Sequence, residues 1–263
     1  MRRFFIIGCQ RSGTTLLRLI LDSHSKIYCY DEYLAYRRLR DGNAGEAEGC
    51  EWVGYKIPRW TEQLNNPILS DEGHDIVANR FYSGEPIIFM MRDVRDVVLS
   101  MARLKLHNDC GEASWLDSWG LRILAAKSQE VNFKQRYKRE LDLAVQDKYA
   151  AGALYWKFKT DSYLDYMGLG WPVVALKYEH LATESVSALR AVTTFIGVQW
   201  ESTLLNHDRL IHSELDGQGQ AIGGTDPQRS IDNVSVGRWR TLLPQSAIDS
   251  ILSVAGDLNS QFY

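Results

Sequence analysis

The chain has 263 residues, of which 45% are hydrophobic and 24% are charged, so we expect a folded protein with a sizeable core. Thirty Lys and Arg residues stand against 33 Asp and Glu residues, and a net charge of −3 argues against a broad basic surface for nucleic acid or anionic lipid. The cysteines show no metal-binding spacing and are predicted to be free thiols: Cys9, Cys29, Cys50 and Cys110.

We predict one domain over residues 1–263, because no Pro-rich or Gly-rich linker divides the chain. The apolar run at the N terminus is too short for a signal peptide, and no 18 consecutive apolar residues could span a bilayer. A cytoplasmic protein without a membrane span is therefore expected.

Several apolar segments are each followed by a helical pattern, which indicates an α/β fold with a parallel sheet. The predicted strands are Arg3–Gly8, Trp52–Pro58, Pro86–Asp93 and Pro172–Tyr178. The predicted helices are Thr14–His24, a helix ending near Leu106 and one spanning about Glu184–Ile196. Ligands of such sheets bind at the carboxyl ends of the strands.

Two further regions are predicted by their composition. Residues 109–171 form a helical insertion whose Trp and Tyr side chains are mostly core. Residues 216–240 are rich in glycine and polar residues, and so long a segment without regular structure is typical of a functional loop.

The first strand and helix are joined by a glycine loop in the stretch "FIIGCQRSGTTLL". Gly8 and Gly13 have the spacing of a phosphate-binding loop, but Thr14 stands where nucleotide hydrolases have a lysine. A glycine loop that opens a helix presents backbone N–H groups and a positive dipole end to phosphate oxygens. Arg11 supplies a cation inside the loop, which suits transfer of a group less charged than a γ-phosphoryl, such as sulfuryl.

The loop "GCQRSGTTLLRLILDSH" resembles the 5′-phosphosulfate loop of sulfotransferases that use 3′-phosphoadenosine 5′-phosphosulfate (PAPS). In "RDVRDVVLSM", Arg92 and Ser100 have the spacing of that family's 3′-phosphate site. The segments "KYEHLATESVSALRAVTTFIGVQWE" and "QRSIDNVSVGRWR" resemble two further landmarks. The motifs are closest to the tyrosylprotein and bacterial branches, and the resemblance implies a three-layer, P-loop-like fold.

This resemblance implies PAPS as the co-substrate, 3′-phosphoadenosine 5′-phosphate (PAP) as its product, and no metal. The residues expected to bind the nucleotide are Gly8, Arg11, Ser12, Gly13, Thr14, Thr15, Arg92, Ser100, Tyr178, Ser230 and Arg238. Two features depart from the family: Leu16 stands where an aromatic residue often stacks on adenine, and Arg103 is one position off the tyrosylprotein pattern.

The same resemblance places a general base at Glu32, 21 residues beyond Arg11, with Asp31 and His24 as competing candidates. Lys56 in "GYKIP" is similar to the catalytic lysine of the family. Glu32 is expected to take the acceptor proton, while Arg11, Lys56 and Ser230 stabilise charge on the sulfuryl group and the leaving phosphate.

The acceptor is a hydroxyl on a tyrosyl peptide, a sugar, a lipid or a small natural product, and a homodimer is left open. One rival function is a P-loop kinase or NTPase, with Asp93 as its magnesium ligand, and the missing loop lysine counts against it. The other is a non-catalytic nucleotide-binding relative.

Overall fold

The core of the molecule is a five-stranded, wholly parallel sheet. The computed structural model describes residues 1–42, 47, 49–63, 84–108, 111–145, 147–210 and 225–263. The strands are β1 (Arg2–Gly8), β2 (Ile27–Tyr30), β3 (Trp52–Lys56), β4 (Ile87–Met91), β5 (Lys105–Asn108), β6 (Gly111–Ser114) and β7 (Val173–Lys177). The sheet has the order β2-β3-β1-β4-β7, and β5 and β6 form a separate antiparallel pair.

Helices follow most strands of the sheet. They are α1 (Thr14–Asp22), α2 (Glu32–Asp41), α3 (Val94–Arg103), α4 (Leu121–Lys127), α5 (Val131–Arg136), α6 (Lys138–Ala144), α7 (Lys148–Gly168), α8 (Tyr178–Thr183), α9 (Ser185–Ile196), α10 (Trp239–Leu242) and α11 (Gln245–Phe262). Short 3₁₀ helices lie at Pro58–Trp60 and Ser202–Arg209, and a π-helical turn at Leu116–Gly120.

Alternating side chains of β1 pack on opposite faces of the sheet, as the strand period of two requires. Phe4 and Ile6 lie in a cluster with residues of α1 and α9. Phe5 and Ile7 lie in a second cluster with Ala35 of α2 and with residues of α7. Helices therefore cover both faces, and the predicted three-layer α/β fold with a central parallel sheet is confirmed.

The four predicted strands are all present, each within two residues of its expected bounds. The helix predicted to end near Leu106 ends earlier, because the backbone of Leu104 is extended and β5 starts at Lys105. Several elements had no counterpart in the prediction, among them β2, α2 and α11.

Most of the predicted insertion is helical, from the π-helical turn through α7. Of the predicted loop at 216–240, residues 216–224 lie outside the described residues, and 225–238 contain no helix or strand. Cys9, Cys29 and Cys50 form no disulfide bond within the described residues, in agreement with the predicted thiols, while Cys110 also lies outside those residues. Across the described ranges, no helix is both long and apolar enough to cross a membrane.

Candidate active site

The glycine loop connects β1 to α1 through a backbone that two glycines make possible. Gly8 and Gly13 have φ angles of 129° and 94°, which side-chain-bearing residues rarely adopt. A Cβ at Gly8 would lie 2.3 Å from the carbonyl oxygen of Met90, and one at Gly13 would lie 2.6 Å from the ring of Tyr178. Both glycines are therefore needed for conformation and for close packing.

The N-terminus of α1 has free capacity for an anion. Its N-cap residue, Gly13, gives no side-chain hydrogen bond, and its first turn holds no acidic residue. By contrast, aspartates cap α2, α3 and α7 through their side chains: Asp31, Asp93 and Asp147. The hydroxyl of Ser12 is buried at the same place and has no partner among the described residues. These donors match the needs of a phosphate group.

Arg11 lies inside the loop in a left-handed conformation, with a φ of 72°. Among the described residues it is the only one other than glycine with positive φ, and such a backbone is costly for a residue with a Cβ. Its Nε donates a hydrogen bond of 3.0 Å to the hydroxyl of Ser100 on α3. Burial, together with the positive charge of Arg92, lowers the pKa of Arg11 to about 10. A cation held in this way is stabilised by an arriving anion.

Arg92 follows the end of β4 and is buried beside the loop. Its Nη1 donates to the backbone oxygen of Arg11 at 3.0 Å, and its Nη2 donates to that of Ser235. Its guanidinium lies 4.4 Å from the ring centre of Tyr178. Its Nε is buried without a partner in the described part of the chain, so one strong donor remains available to a ligand.

A single cleft of about 320 Å³ brings most of the predicted nucleotide-binding residues together. The predicted residues that line it are Arg11, Gly13, Thr14, Thr15, Arg92, Ser100, Tyr178, Ser230 and Arg238. Leu16 and Arg103 line it as well. Gly8, Ser12, Glu32 and Lys56 are not among the lining residues. Residues of the loop, Arg92 and Ser100 thus line one space.

Asp96 was missed in the sequence, although it stands one helical turn after Arg92 in "RDVRD". Its carboxylate is buried and accepts hydrogen bonds from the backbone N–H groups of Gly237, at 2.6 Å, and Trp239, at 3.1 Å. The ring of Trp239 also lies 3.7 Å from the guanidinium carbon of Arg95. The first turn of α3 therefore holds residues 235–239, the end of the predicted covering loop.

The three candidate bases have different surroundings. The Oδ1 of Asp31 accepts from the backbone N–H groups of Tyr33 and Leu34 at 2.8 and 2.9 Å, so Asp31 caps α2. The Nε2 of buried His24 contacts the backbone oxygen of Gln199 at 2.8 Å.

The other ring nitrogen of His24 accepts from the backbone N–H of Lys26 at 3.1 Å. Glu32 is the first residue of α2, is only partly buried, and accepts from the N–H of Arg59 at 3.2 Å. Asp31 and His24 thus have structural roles, and Glu32 keeps capacity to accept a proton.

Lys56 ends β3 and pairs in register with Ile6 of β1, two residues before the first glycine of the loop. It is 5% exposed. No ion-pair partner for its amine lies in the described part of the chain. A buried amine at a strand end beside the loop is placed to meet an anionic ligand.

A model of the sulfotransferase family matches residues 3–78, which include the loop, Glu32 and Lys56. Protein-tyrosine sulfotransferase A of Caenorhabditis elegans is 22% identical over 268 residues, covering 95% of this chain and 64% of its own length. Protein-tyrosine sulfotransferase 2 of Gallus gallus is also 22% identical, covering 97% of this chain and 67% of its own length. This chain thus spans about two thirds of those two relatives.

Two solved structures share the fold. The sulfotransferase domain of the Synechococcus PCC 7002 olefin synthase gives a TM-score of 0.56, with 17% identity, over 97% of this chain and 94% of its own. The sulfotransferase domain from the curacin biosynthetic pathway gives 0.58, with 17% identity, over 97% and 96%. A family model thus matches across the loop, and two relatives align along nearly the whole of this chain, so the chain is similar to sulfotransferases in sequence as well as in fold.

Proposed function

We propose that this protein is a sulfotransferase that uses PAPS as its donor and moves the sulfuryl group to an acceptor hydroxyl by in-line displacement. The observation that carries the proposal is the shared cleft, which is lined both by residues of the phosphate loop and by Arg92 with Ser100. Arg11 and Ser100 are joined by a hydrogen bond of 3.0 Å, so both groups lie within reach of one nucleotide. A donor with phosphates at both its 5′ and 3′ positions fits this arrangement.

The donor groups around the cleft suit such a nucleotide. The uncapped start of α1 and the buried hydroxyl of Ser12 would hold the 5′ end. The unpartnered Nε of Arg92 and the hydroxyl of Ser100 would hold the 3′-phosphate. A cleft of about 320 Å³ lies in the range of small-ligand sites.

Bound PAPS would supply the sulfuryl group: the acceptor oxygen forms a bond to sulfur while the bond from sulfur to the phosphate oxygen breaks. Glu32 would take the acceptor proton, because it is the candidate carboxylate that does not cap a helix. Arg11, Lys56 and Ser230 would stabilise the negative charge that gathers on the sulfuryl and leaving-group oxygens.

The surroundings of Asp93 argue against the rival P-loop kinase or NTPase. Its Oδ1 caps α3 by accepting a hydrogen bond from the backbone N–H of Arg95. The carboxylate also forms a bidentate ion pair with the guanidinium of Arg95. A carboxylate neutralised in this way is a poor magnesium ligand. The loop also lacks the lysine that such enzymes use.

For the acceptor, tyrosyl peptides come first, because two of the relatives are named as protein-tyrosine sulfotransferases. Sugars, lipids and small phenols remain alternatives. A cytoplasmic location and a homodimer stay predictions.

The test is mass spectrometry of the products formed from labelled PAPS with a mixed panel of tyrosyl peptides, glycans and phenols. The wild-type protein is expected to label at least one member of the panel, and Glu32→Gln to lose most of that activity. Asp31→Asn is the matched control, because asparagine caps a helix as well as aspartate does and this variant should keep its activity.

If PAP binds but no acceptor is labelled, the non-catalytic alternative replaces the proposal. If Asp31→Asn loses activity and Glu32→Gln keeps it, the assignment of the base is wrong.

A further inference from the structure

The short turn after β3 contacts the phosphate loop and the proposed base, and it lies close in sequence to Lys56. We name residues 58–62 the clamp turn; it contains the 3₁₀ helix Pro58–Trp60. Sequence similarity assigned no role to it, and none of its residues lines the nucleotide cleft. Its position is nonetheless central, since only Ile57 separates it from Lys56 and the N–H of Ile57 is bonded to β1.

Thr61 ties the clamp turn to the phosphate loop. Its hydroxyl is wholly buried and accepts a hydrogen bond of 2.9 Å from the N–H of Gly8. The same oxygen lies 2.9 Å from the carbonyl of Gly8 and 2.8 Å from that of Pro58, either of which can take its single proton. One hydroxyl thus joins two backbone segments, at the point where β1 ends and the loop starts.

Arg59 ties the clamp turn to the proposed base. Its backbone N–H donates a hydrogen bond of 3.2 Å to Oε1 of Glu32. The two residues are 27 positions apart in the sequence. The backbone N–H of Ile57 donates to Ile6 of β1 at 3.0 Å, which holds the segment between Lys56 and the turn against the sheet. The turn therefore contacts or adjoins Gly8, Glu32 and Lys56.

Helix α7 supports the clamp turn from behind. The hydroxyl of Tyr166 donates to the carbonyl of Thr61. The amine of Lys159 donates to the carbonyl of Arg59 at 2.7 Å and forms a buried ion pair with Glu62. Lys159 and Glu62 are 1% and 2% exposed, so removing Glu62 would leave the Lys159 amine buried without its counter-charge, which is strongly unfavourable.

We propose that Thr61, with Tyr166 and Lys159 behind it, is a positioning residue that sets Glu32 and Lys56 against the phosphate loop. None of these three side chains lines the cleft, and each acts through the backbone of the clamp turn. The inference rests on the proposed function, because it assigns to this turn the geometry of the sulfuryl-transfer step.

The closing experiment compares Thr61→Val with Thr61→Ser, since valine keeps the shape of threonine and serine keeps its hydroxyl. Thr61→Val is expected to lower kcat between about tenfold and about a hundredfold, as a small misplacement of reacting groups does. The Kd for PAP should stay within about twofold of wild type, because the loss is confined to catalysis. Thr61→Ser should keep most of the wild-type rate.

A second pair of variants covers the case in which Thr61→Val fails to fold. Tyr166→Phe removes only the hydroxyl that holds the clamp turn, and a several-fold loss of kcat is expected. Tyr137→Phe is its control, because Tyr137 is similarly buried and its hydroxyl donates to Asp161 instead. An equal effect of both substitutions on kcat would overturn the proposal.

Hydrogen exchange provides a readout that does not depend on activity. The amide of Gly8 should exchange faster in Thr61→Val than in the wild type or in Thr61→Ser, because it loses its acceptor. An unchanged kcat in Thr61→Val, or equal losses in the valine and serine variants, contradicts the inference. If the wild-type protein transfers no sulfuryl group, the proposed function is contradicted instead, whatever the exchange rate of the Gly8 amide.

Discussion

Arg11 combines an unfavourable backbone with a buried positive charge. A left-handed conformation at a residue with a Cβ costs on the order of 1 kcal/mol, and this cost recurs at functional sites, where the surrounding structure enforces it. The loop thus holds the guanidinium over the cleft, next to Ser100. This arrangement favours a role in which the positive charge of Arg11 stabilises the transferred group at a fixed position in the cleft.

We expect Arg11→Ala to lower kcat by about a hundredfold, because it removes a donor that acts on developing charge. The Kd for PAP should change much less, since Arg92, Ser100 and the start of α1 remain. Arg11→Gly is a second variant that relieves the backbone at this φ and separates strain from charge. Steady-state kinetics and calorimetric titration measure the two quantities, and equal losses in both would contradict a transition-state role.

The pH dependence of binding provides a separate test of Arg11. Because burial lowers its pKa to about 10, the guanidinium of the free protein is charged below that pH and becomes neutral above it. Affinity for PAP should therefore stay level from about pH 7 to 9 and fall as the pH rises through about 10. The fall should be weaker in Arg11→Gly. If wild type and variant show the same alkaline fall, other groups are responsible.

The residues around the proposed base show what a sequence can and cannot separate. The resemblance favours Glu32 as the base but leaves the adjacent Asp31 as a competitor, and the helix start between them assigns Asp31 to capping. His24 was a second competitor, and its two backbone contacts assign it a structural role. Both distinctions depend on hydrogen-bond geometry, which the spacing of residues in the sequence does not give.

At the scale of elements, four of the five sheet strands were predictable because each is a short apolar run ended by glycine, proline or a charged residue. Helix α2 was missed, although Asp31 at its start, Gly42 at its end and basic residues in its last turn are ordinary helix signals. Helix α11 was also missed, although its buried residues recur at helical spacing: Ala247, Ile251, Val254, Ala255 and Leu258. Both could have been found in the sequence.

The contact between α3 and residues 235–239 supports a prediction about the covering segment. Asp96→Asn should weaken PAP binding by about tenfold, because hydrogen bonds to a charged acceptor contribute about 1.5–3 kcal/mol each. The substitution loosens the segment that positions Arg238 and that gives Arg92 its partner, Ser235. Calorimetry measures the change.

Asp165→Asn is the matched control for Asp96→Asn. Asp165 is a buried carboxylate paired with Arg136, and it does not line the nucleotide cleft. Similar losses of PAP affinity in both variants would mean that general destabilisation, and not the covering segment, explains the effect.

At the scale of the whole molecule, α7 connects the parts of the site that are distant in sequence. The hydroxyl of Tyr155 donates to Gln10 in the loop at 2.9 Å, and the indole of Trp156 donates to the carbonyl of Arg92 at 3.0 Å. Lys159, on the same helix, donates to the carbonyl of Arg59 in the clamp turn. The sequence predicted this region as a helical insertion with aromatic core residues. It did not predict these hydrogen bonds, because they join residues more than 60 positions apart and local sequence patterns do not show such contacts.

The central claim concerns the molecule as a whole: one cleft holds both phosphate groups of a single adenosine nucleotide. Calorimetric titration with PAP and with adenosine 5′-monophosphate, each without magnesium, tests it most directly. PAP is expected to bind at least about tenfold more tightly, because its 3′-phosphate adds charge-assisted hydrogen bonds from Arg92 and Ser100. Equal affinity for the two nucleotides, or binding that needs magnesium and prefers ATP, would contradict the account.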